Sequence, residues 1–260
     1  MNEPPVLQPA SAVPDDAEAD ITFVCTSCGR PDLLARTLES FFEYNTYPIR
    51  EFIVIEDGIH PSEVSSDPRF VGRQIKWLAT GRRVGQMAAI DIAYAHITTE
   101  YIFHCEDDWE FYAAGFIEKS LRILRRSPEV LQVWLRALDD TNKLPIMDHV
   151  FEAGGVPYRF IRPGYDAGEW GTWHGFSLNP GLRRLKEYQL VGSFSGQDPQ
   201  GTMKAWEIES ALSEVYLRHG FLAAILADAD GKGYVRHLGW HRRVGDPTPE
   251  DGSEISRRRP

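Results

Sequence analysis

The chain has 260 residues, 42% apolar and 25% charged, which is the balance of an ordinary globular protein with ample length for a core. A formal net charge of −10 argues against nucleic acid as the main partner, because proteins that bind its phosphates usually carry a basic face. No apolar run approaches the roughly 18–20 residues that cross a bilayer, and the N-terminus lacks the basic start and apolar core of a signal peptide, so no transmembrane segment and a cytoplasmic location are expected.

Residues 1–19 are rich in Pro, Ala, Asp and Glu and read as a mobile, disordered tail. Residues 21–25 form a continuous apolar run, the pattern of a strand buried on both faces. Pro31 then opens a helix where its missing N–H costs nothing, and Leu34, Leu38 and Phe42 repeat along it. Residues 51–56 (E-F-I-V-I-E) are a second strand ending in Asp57-Gly58, and 75–79 a third. Met87, Ile90, Tyr94 and Ile97 recur at helical spacing. Strand four covers 101–105, Ile117, Leu121 and Leu124 mark the next helix, and 130–135 is again a strand. This alternation predicts an α/β fold with a mixed, mostly parallel central sheet flanked by helices on both faces. Residues 140–202 are rich in Gly, Pro and aromatics with weak periodicity, a composition of functional or mobile segments. A helix returns over 204–219 with Leu212, Val215 and Tyr216 on its apolar face, followed by a strand over 221–227. Residues 246–260 are a second tail, closing on three arginines and Pro260.

The chemistry concentrates at 101–109 (Y-I-F-H-C-E-D-D-W), where an apolar strand runs into Glu106, Asp107 and Asp108. Three adjacent anions become reasonable if a hard cation such as Mn²⁺ or Mg²⁺ sits there, since these ions take one or two carboxylates and leave room for substrate phosphates. The plainer alternative is a solvated acidic turn capping a helix that starts near Trp109. Parallel sheets bind ligands beyond the carboxyl ends of their strands, and Thr26, Arg30, Asp57 and Glu106–Asp108 all fall at such ends. Cys25 and Cys28 form a C-x-x-C, but nothing nearby completes a four-ligand zinc site, so packing at the strand end is the reading for them.

In order and spacing these motifs resemble a GT-A (Rossmann-like) glycosyltransferase over roughly residues 20–240. The chain is similar in style to the large inverting family 2 and to the N-acetylglucosaminyltransferases that branch N-glycans. F-V-C-T-S-C-G-R-P-D-L-L (23–34) resembles the first strand, loop and helix, I-V-I-E-D-G (53–58) the second strand, and E-D-D the metal-binding D-x-D motif. G-R-R-V-G (81–85) and the helix after it resemble the N-x-G…A-R-N region, with Asp91 where Asn is usual. The resemblance implies one GT-A domain over 20–245, with a nucleotide-sugar-binding half (20–138) and an acceptor-binding half (139–245).

It also implies roles. Asp108 would ligate the metal and Glu106 would lie nearer the ribose, with Asp107 and Thr26 beside the donor. Asp57 would reach the nucleotide base, and Arg30 or Arg83 the phosphates. The base that deprotonates the acceptor would be Glu209, counted back from Gly220, with Glu207 as runner-up and Asp198 in reserve. His237 would be a second metal ligand, with His241 its competitor. Trp170 and Trp173 would offer aromatic platforms to an acceptor sugar. The expected enzyme is a hexosyl- or N-acetylhexosaminyltransferase using a UDP-sugar and a saccharide-like acceptor, as in polysaccharide biosynthesis. A nucleotide-sugar-binding protein without turnover and a sugar-phosphate nucleotidyltransferase are the alternatives. A dinucleotide oxidoreductase is disfavoured, because no G-x-G-x-x-G follows the first strand.

Overall fold

The computed structural model describes residues 20–168, 171–228 and 230–239. The expected α/β architecture is observed, with the sheet mixed: four of its eight strand pairings are parallel and four antiparallel. Helices cover both faces of a nine-stranded sheet whose order, with strands numbered along the chain, is β3 (Ile75–Ala79), β2 (Glu51–Glu56), β1 (Ile21–Ser27), β4 (Tyr101–Glu106), β11 (Gly181–Arg184), β6 (Val130–Trp134), β12 (Leu222–Leu226), β8 (Val156–Phe160) and β7 (Phe151–Ala153). Strands β1 (Ile21–Ser27), β2 (Glu51–Glu56), β3 (Ile75–Ala79) and β4 (Tyr101–Glu106) pair in parallel. β6 (Val130–Trp134) and β12 (Leu222–Leu226) also pair in parallel.

Alternation along β1 shows why the sheet needs two covers. Phe23 and Cys25 face one core with Leu34, Leu38 and Phe41 of α1 (Pro31–Tyr44) and Ile117 and Leu121 of α3 (Phe116–Arg126). Val24 faces the other, with Met87 and Ile90 of α2 (Gln86–Tyr94) and Ile208 and Leu212 of α5 (Ala205–Arg218). Both faces are apolar, so the strands read as unbroken apolar runs.

Two elements differ from expectation. No helix starts at Trp109. Trp109–Phe111 is a short strand, β5, and α3 waits until Phe116. Trp109 and Phe111 are both buried while Glu110 between them is not, the alternation of a strand, and β5 pairs with β13 (Val235–His237). Within 140–202 the chain is more regular than its composition suggests. β7 (Phe151–Ala153) and β8 (Val156–Phe160) extend the sheet, and β9 (Tyr165–Asp166) pairs with β10 (Thr172–Trp173). β11 (Gly181–Arg184) enters antiparallel between β4 and β6 and leads into α4 (Leu185–Val191).

β11 is concealed in the sequence because half of it is arginine, yet Arg183 and Arg184 are both buried. Arg184 donates to the carbonyls of Val130 (3.0 Å), Leu124 and Ser127 (3.3 Å) and pairs with buried Glu187 (3.0 Å). The Leu124 carbonyl is one that the end of α3 leaves open. Arg184→Met is expected to destabilise the fold by about 3–5 kcal/mol, since it strands Glu187 without its cation. Urea unfolding of both proteins measures this, and an unchanged midpoint would refute it.

Candidate active site

β1 and β4 end side by side, with Thr26 in register with Glu106, so the acidic motif emerges at the carboxyl edge of the sheet. The turn is held from beneath: Thr37 Oγ1 on α1 donates to the Asp107 carbonyl (2.8 Å) and accepts the Trp109 N–H (3.1 Å). Asp107 and Asp108 are buried, only 1% and 6% exposed, which overturns the reading of a solvated acidic turn.

Burying two neighbouring carboxylates requires a counter-charge, and Arg30 supplies it. Its Nε donates to Asp107 Oδ2 (3.3 Å), its Nη2 to Asp107 Oδ1, and its Nη1 to Asp108 Oδ2 (2.8 Å). The Cys28 N–H adds a further bond to Asp107 (3.3 Å). Burial pushes the Asp107 carboxyl up to about 6 even against Arg30. Asp107 is thus turned inward to anchor Arg30, and Arg30 grips carboxylates where phosphates were expected of it. Thr26, buried beside this edge, completes the wall.

Asp108 is placed differently. Its Oδ2 is shared between Arg30 and His237 Nε2 (3.3 Å), while its buried Oδ1 has no hydrogen-bond partner. Burial pushes this carboxyl up, but His237 and Arg30 hold it below the usual carboxylate range. The β5–β13 pairing delivers His237, setting it opposite Trp109 with ring centroids 4.8 Å apart. The Leu238 N–H donates to the Asp108 carbonyl (2.7 Å). At Gly239 an added Cβ would fall 2.1 Å from Asp108 Oδ2, so only glycine lets this segment lie against the carboxylate.

Among the described residues no three His, Cys, Asp or Glu side chains converge to enclose a metal by themselves. Asp108 and His237 are two ligands of suitable type, and the partnerless Asp108 Oδ1 is a carboxylate oxygen of the kind a hard cation takes. These residues fit an ion that completes its shell with substrate phosphates and water.

Glu106 stands at the rim, half-buried. The Gln86 amide donates to Oε1 and Trp109 Nε1 to Oε2 (3.3 Å). Burial, Asp108 and Glu209 together push its carboxyl well above the usual range. Asp57 accepts the N–H groups of Val84 (2.8 Å) and Gly85 (3.0 Å) and the Thr80 hydroxyl (3.1 Å). Its oxygens organise the loop over 80–85, where Gly85 takes a φ of +89°, and any base contact has to share them. Arg83 is exposed on that loop.

Of the two glutamates opening α5, Glu207 turns back to accept the Lys204 N–H (2.6 Å), a helix cap. Glu209 points toward the sheet and accepts the Leu178 N–H (3.0 Å) at Oε2. Glu209 keeps part of its surface open to solvent, yet it is densely surrounded. That desolvation pushes its carboxyl up to about 7 against the Leu178 amide, the Ser177 hydroxyl and Arg183. Asp198 is spent on its own loop, accepting the Met203 N–H (2.6 Å). Asp91 likewise ties down a loop, accepting the Tyr188 hydroxyl (2.9 Å) and the N–H groups of Phe194 and Ser195 (2.8 and 2.9 Å).

Trp173 packs, half-buried, against Trp134, Leu144, Ile161, Ala223 and Ile225. Trp170 and His241 lie outside the described residues, as do 1–19 and 246–260. Cys25 and Cys105 are buried with thiols pushed up by that burial, and all three cysteines are free. Motif reading gave no role to Gln86, Trp109, Arg183 or Gly239, although Trp109 closes Y-I-F-H-C-E-D-D-W (101–109) and Gly239 closes Y-V-R-H-L-G (234–239).

Solved structures of similar fold include the mannosyltransferase PcManGT from Pyrobaculum calidifontis in complex with GDP-Man and Mn²⁺ (TM-score 0.58, 15% identity, 90% of this chain and 62% of that one). S. aureus TarS 1-349 is also similar (TM-score 0.50, 10% identity, 83% of this chain and 59% of that one). Among curated proteins, Beta-1,4 N-acetylgalactosaminyltransferase 1 of Mus musculus and of Rattus norvegicus are each 27% identical over 128 residues. That stretch is 48% of this chain and 22% of those relatives, so the chain spans less than a quarter of their length. No helix among the described residues is long and apolar enough to cross a membrane. The family profile for glycosyl transferase family 2 matches residues 22–185, from the first strand through β11, and the chain belongs to that family.

Proposed function

We propose that this protein transfers a sugar from a nucleotide-sugar, a UDP-sugar in the first instance, to a hydroxyl of a saccharide-like acceptor. Transfer is metal-dependent and inverts the anomeric centre. The observation that carries this reading is geometric: in a chain of this family, Asp108 at the carboxyl edge of the sheet lies 3.3 Å from His237 and keeps a buried oxygen without a hydrogen-bond partner.

Asp108 and His237 would hold Mn²⁺ or Mg²⁺. When bound, such an ion stabilises the negative charge that develops on the departing nucleoside diphosphate. The protein's own work is at the acceptor. Glu209, oriented by the Leu178 N–H on Oε2, takes the hydroxyl proton as the oxygen attacks the anomeric carbon. Its carboxyl near 7 suits that task, because a base works best when its pKa is close to the operating pH. Trp109, packed against His237, excludes water on one side of the motif. Arg83, exposed on the loop that Asp57 organises, is a group available to a phosphate.

Calorimetry of UDP- and GDP-sugars with and without Mn²⁺ tests the donor. Release of nucleoside diphosphate with and without saccharide acceptors tests turnover. Mn²⁺-dependent binding of one nucleotide class with acceptor-stimulated release is expected; no nucleotide-sugar binding under any condition would refute the proposal.

A further inference from the structure

Arg183 is only 2% exposed and has no carboxylate within ion-pair reach among the described residues. Its Nε and Nη1 have no hydrogen-bond partner, and its guanidinium lies 5.3 Å from the Phe176 ring centroid. A buried, unpaired cation costs several kcal/mol, so its surroundings are informative. Nη2 donates to the Ser177 carbonyl (3.3 Å). The same two residues, through the Ser177 hydroxyl and the Leu178 N–H, hold the Glu209 carboxylate. A single short segment therefore connects the guanidinium on β11 to the carboxylate on α5.

We infer that Arg183 is a positioning residue for the base: it fixes the Ser177–Leu178 segment against Glu209 and sets a permanent positive charge behind it. The inference rests on Glu209 being the base. Three neighbours of Arg183, His104, Tyr94 and Tyr216, are buried groups that stay uncharged near neutrality: burial, then Arg183, keeps the His104 imidazole well below its usual range, and burial holds both phenols high. Glu209 is the acid among its neighbours that ionises near pH 7. The charged and polar groups facing Glu209 are Arg183 from β11, Ser177 from the loop before it and Glu106 from β4. Of these Arg183 is the one cation, and it opposes the burial that would keep Glu209 protonated and idle.

The test pairs ¹³C-carboxyl NMR titration of Glu209, assigned by its disappearance in Glu209→Gln, with pH profiles of kcat. In Arg183→Met the Glu209 titration and the acid limb of kcat are both expected to move to higher pH. At pH 7 kcat falls about fivefold, recovers at alkaline pH, and leaves the KM for donor unchanged. Arg183→Lys is expected to restore most of both midpoints. Should Arg183→Met fail to fold, Ser177→Ala is expected to move the Glu209 titration in the same direction. An unmoved Glu209 titration in folded Arg183→Met, or in Ser177→Ala where that variant substitutes for it, overturns the inference even if activity drops. A titration that moves while the kcat profile does not refutes Glu209 as the base, and the positioning role with it.

Discussion

Glu209→Gln is expected to lower kcat by about 10²–10⁴, the usual cost of losing a general base. The substitution keeps the side chain's shape and an oxygen to accept the Leu178 N–H, so what it removes is proton acceptance. Donor affinity should survive, because Asp108 and His237 lie on other elements, and the defect belongs in kcat. In the wild type kcat should rise with pH through about 7, since the base works only when deprotonated. A carboxyl raised above its unfolded value opposes folding once the pH exceeds that value, and the opposition fades as pH falls through 7. Glu209→Gln should therefore be at least as stable as wild type at neutral pH. Glu207→Gln should leave kcat close to wild type and keep an oxygen for the Lys204 N–H, so it costs the helix start only its negative charge, about 0.3–1 kcal/mol. Steady-state kinetics with thermal melts on both variants decide it. A dead Glu207→Gln beside an active Glu209→Gln would reverse the assignment.

Asp108→Ala is expected to weaken Mn²⁺-supported donor binding by about 100-fold or more, because losing even an outer partner of a metal ligand costs about 10–100-fold. Calorimetry reads the affinity, and circular dichroism checks that the sheet persists. Arg30 keeps its bonds to Asp107 in this variant, so the turn retains a counter-charge and the fold should hold. Donor affinity that is unchanged and still Mn²⁺-dependent would remove Asp108 from the metal site.

Which residues would gather was largely legible beforehand; what each would touch was not. Three carboxylates after an apolar run can sit only at a strand end, and the spacing back from Gly220 separates Glu209 from Glu207 by about 200° of helix. Apolar runs also located β1, β2 and β4, because strands buried on both faces leave them largely unbroken. Arg30 was harder: a cation near a phosphate-binding edge looks alike whether it will meet phosphate or carboxylate, and only the burial of Asp107 distinguishes them. β11 was invisible for a related reason. A four-residue strand holding two arginines has the composition of a loop until its carbonyl and carboxylate partners are known. β5 failed on length, since three residues cannot establish a period.

β6 has a consequence for how the chain is made. All five of its residues are buried, yet its neighbours in the sheet, β11 and β12, both lie at least 47 positions later in the sequence. Until β11 is synthesised, β4 also has one edge without a partner. A nascent chain that ends near residue 138 thus carries an isolated apolar strand and an open sheet edge, the surfaces that pair wrongly with other chains. Its two halves are therefore interleaved through one sheet, and neither should be expressible as a soluble, folded piece without the other.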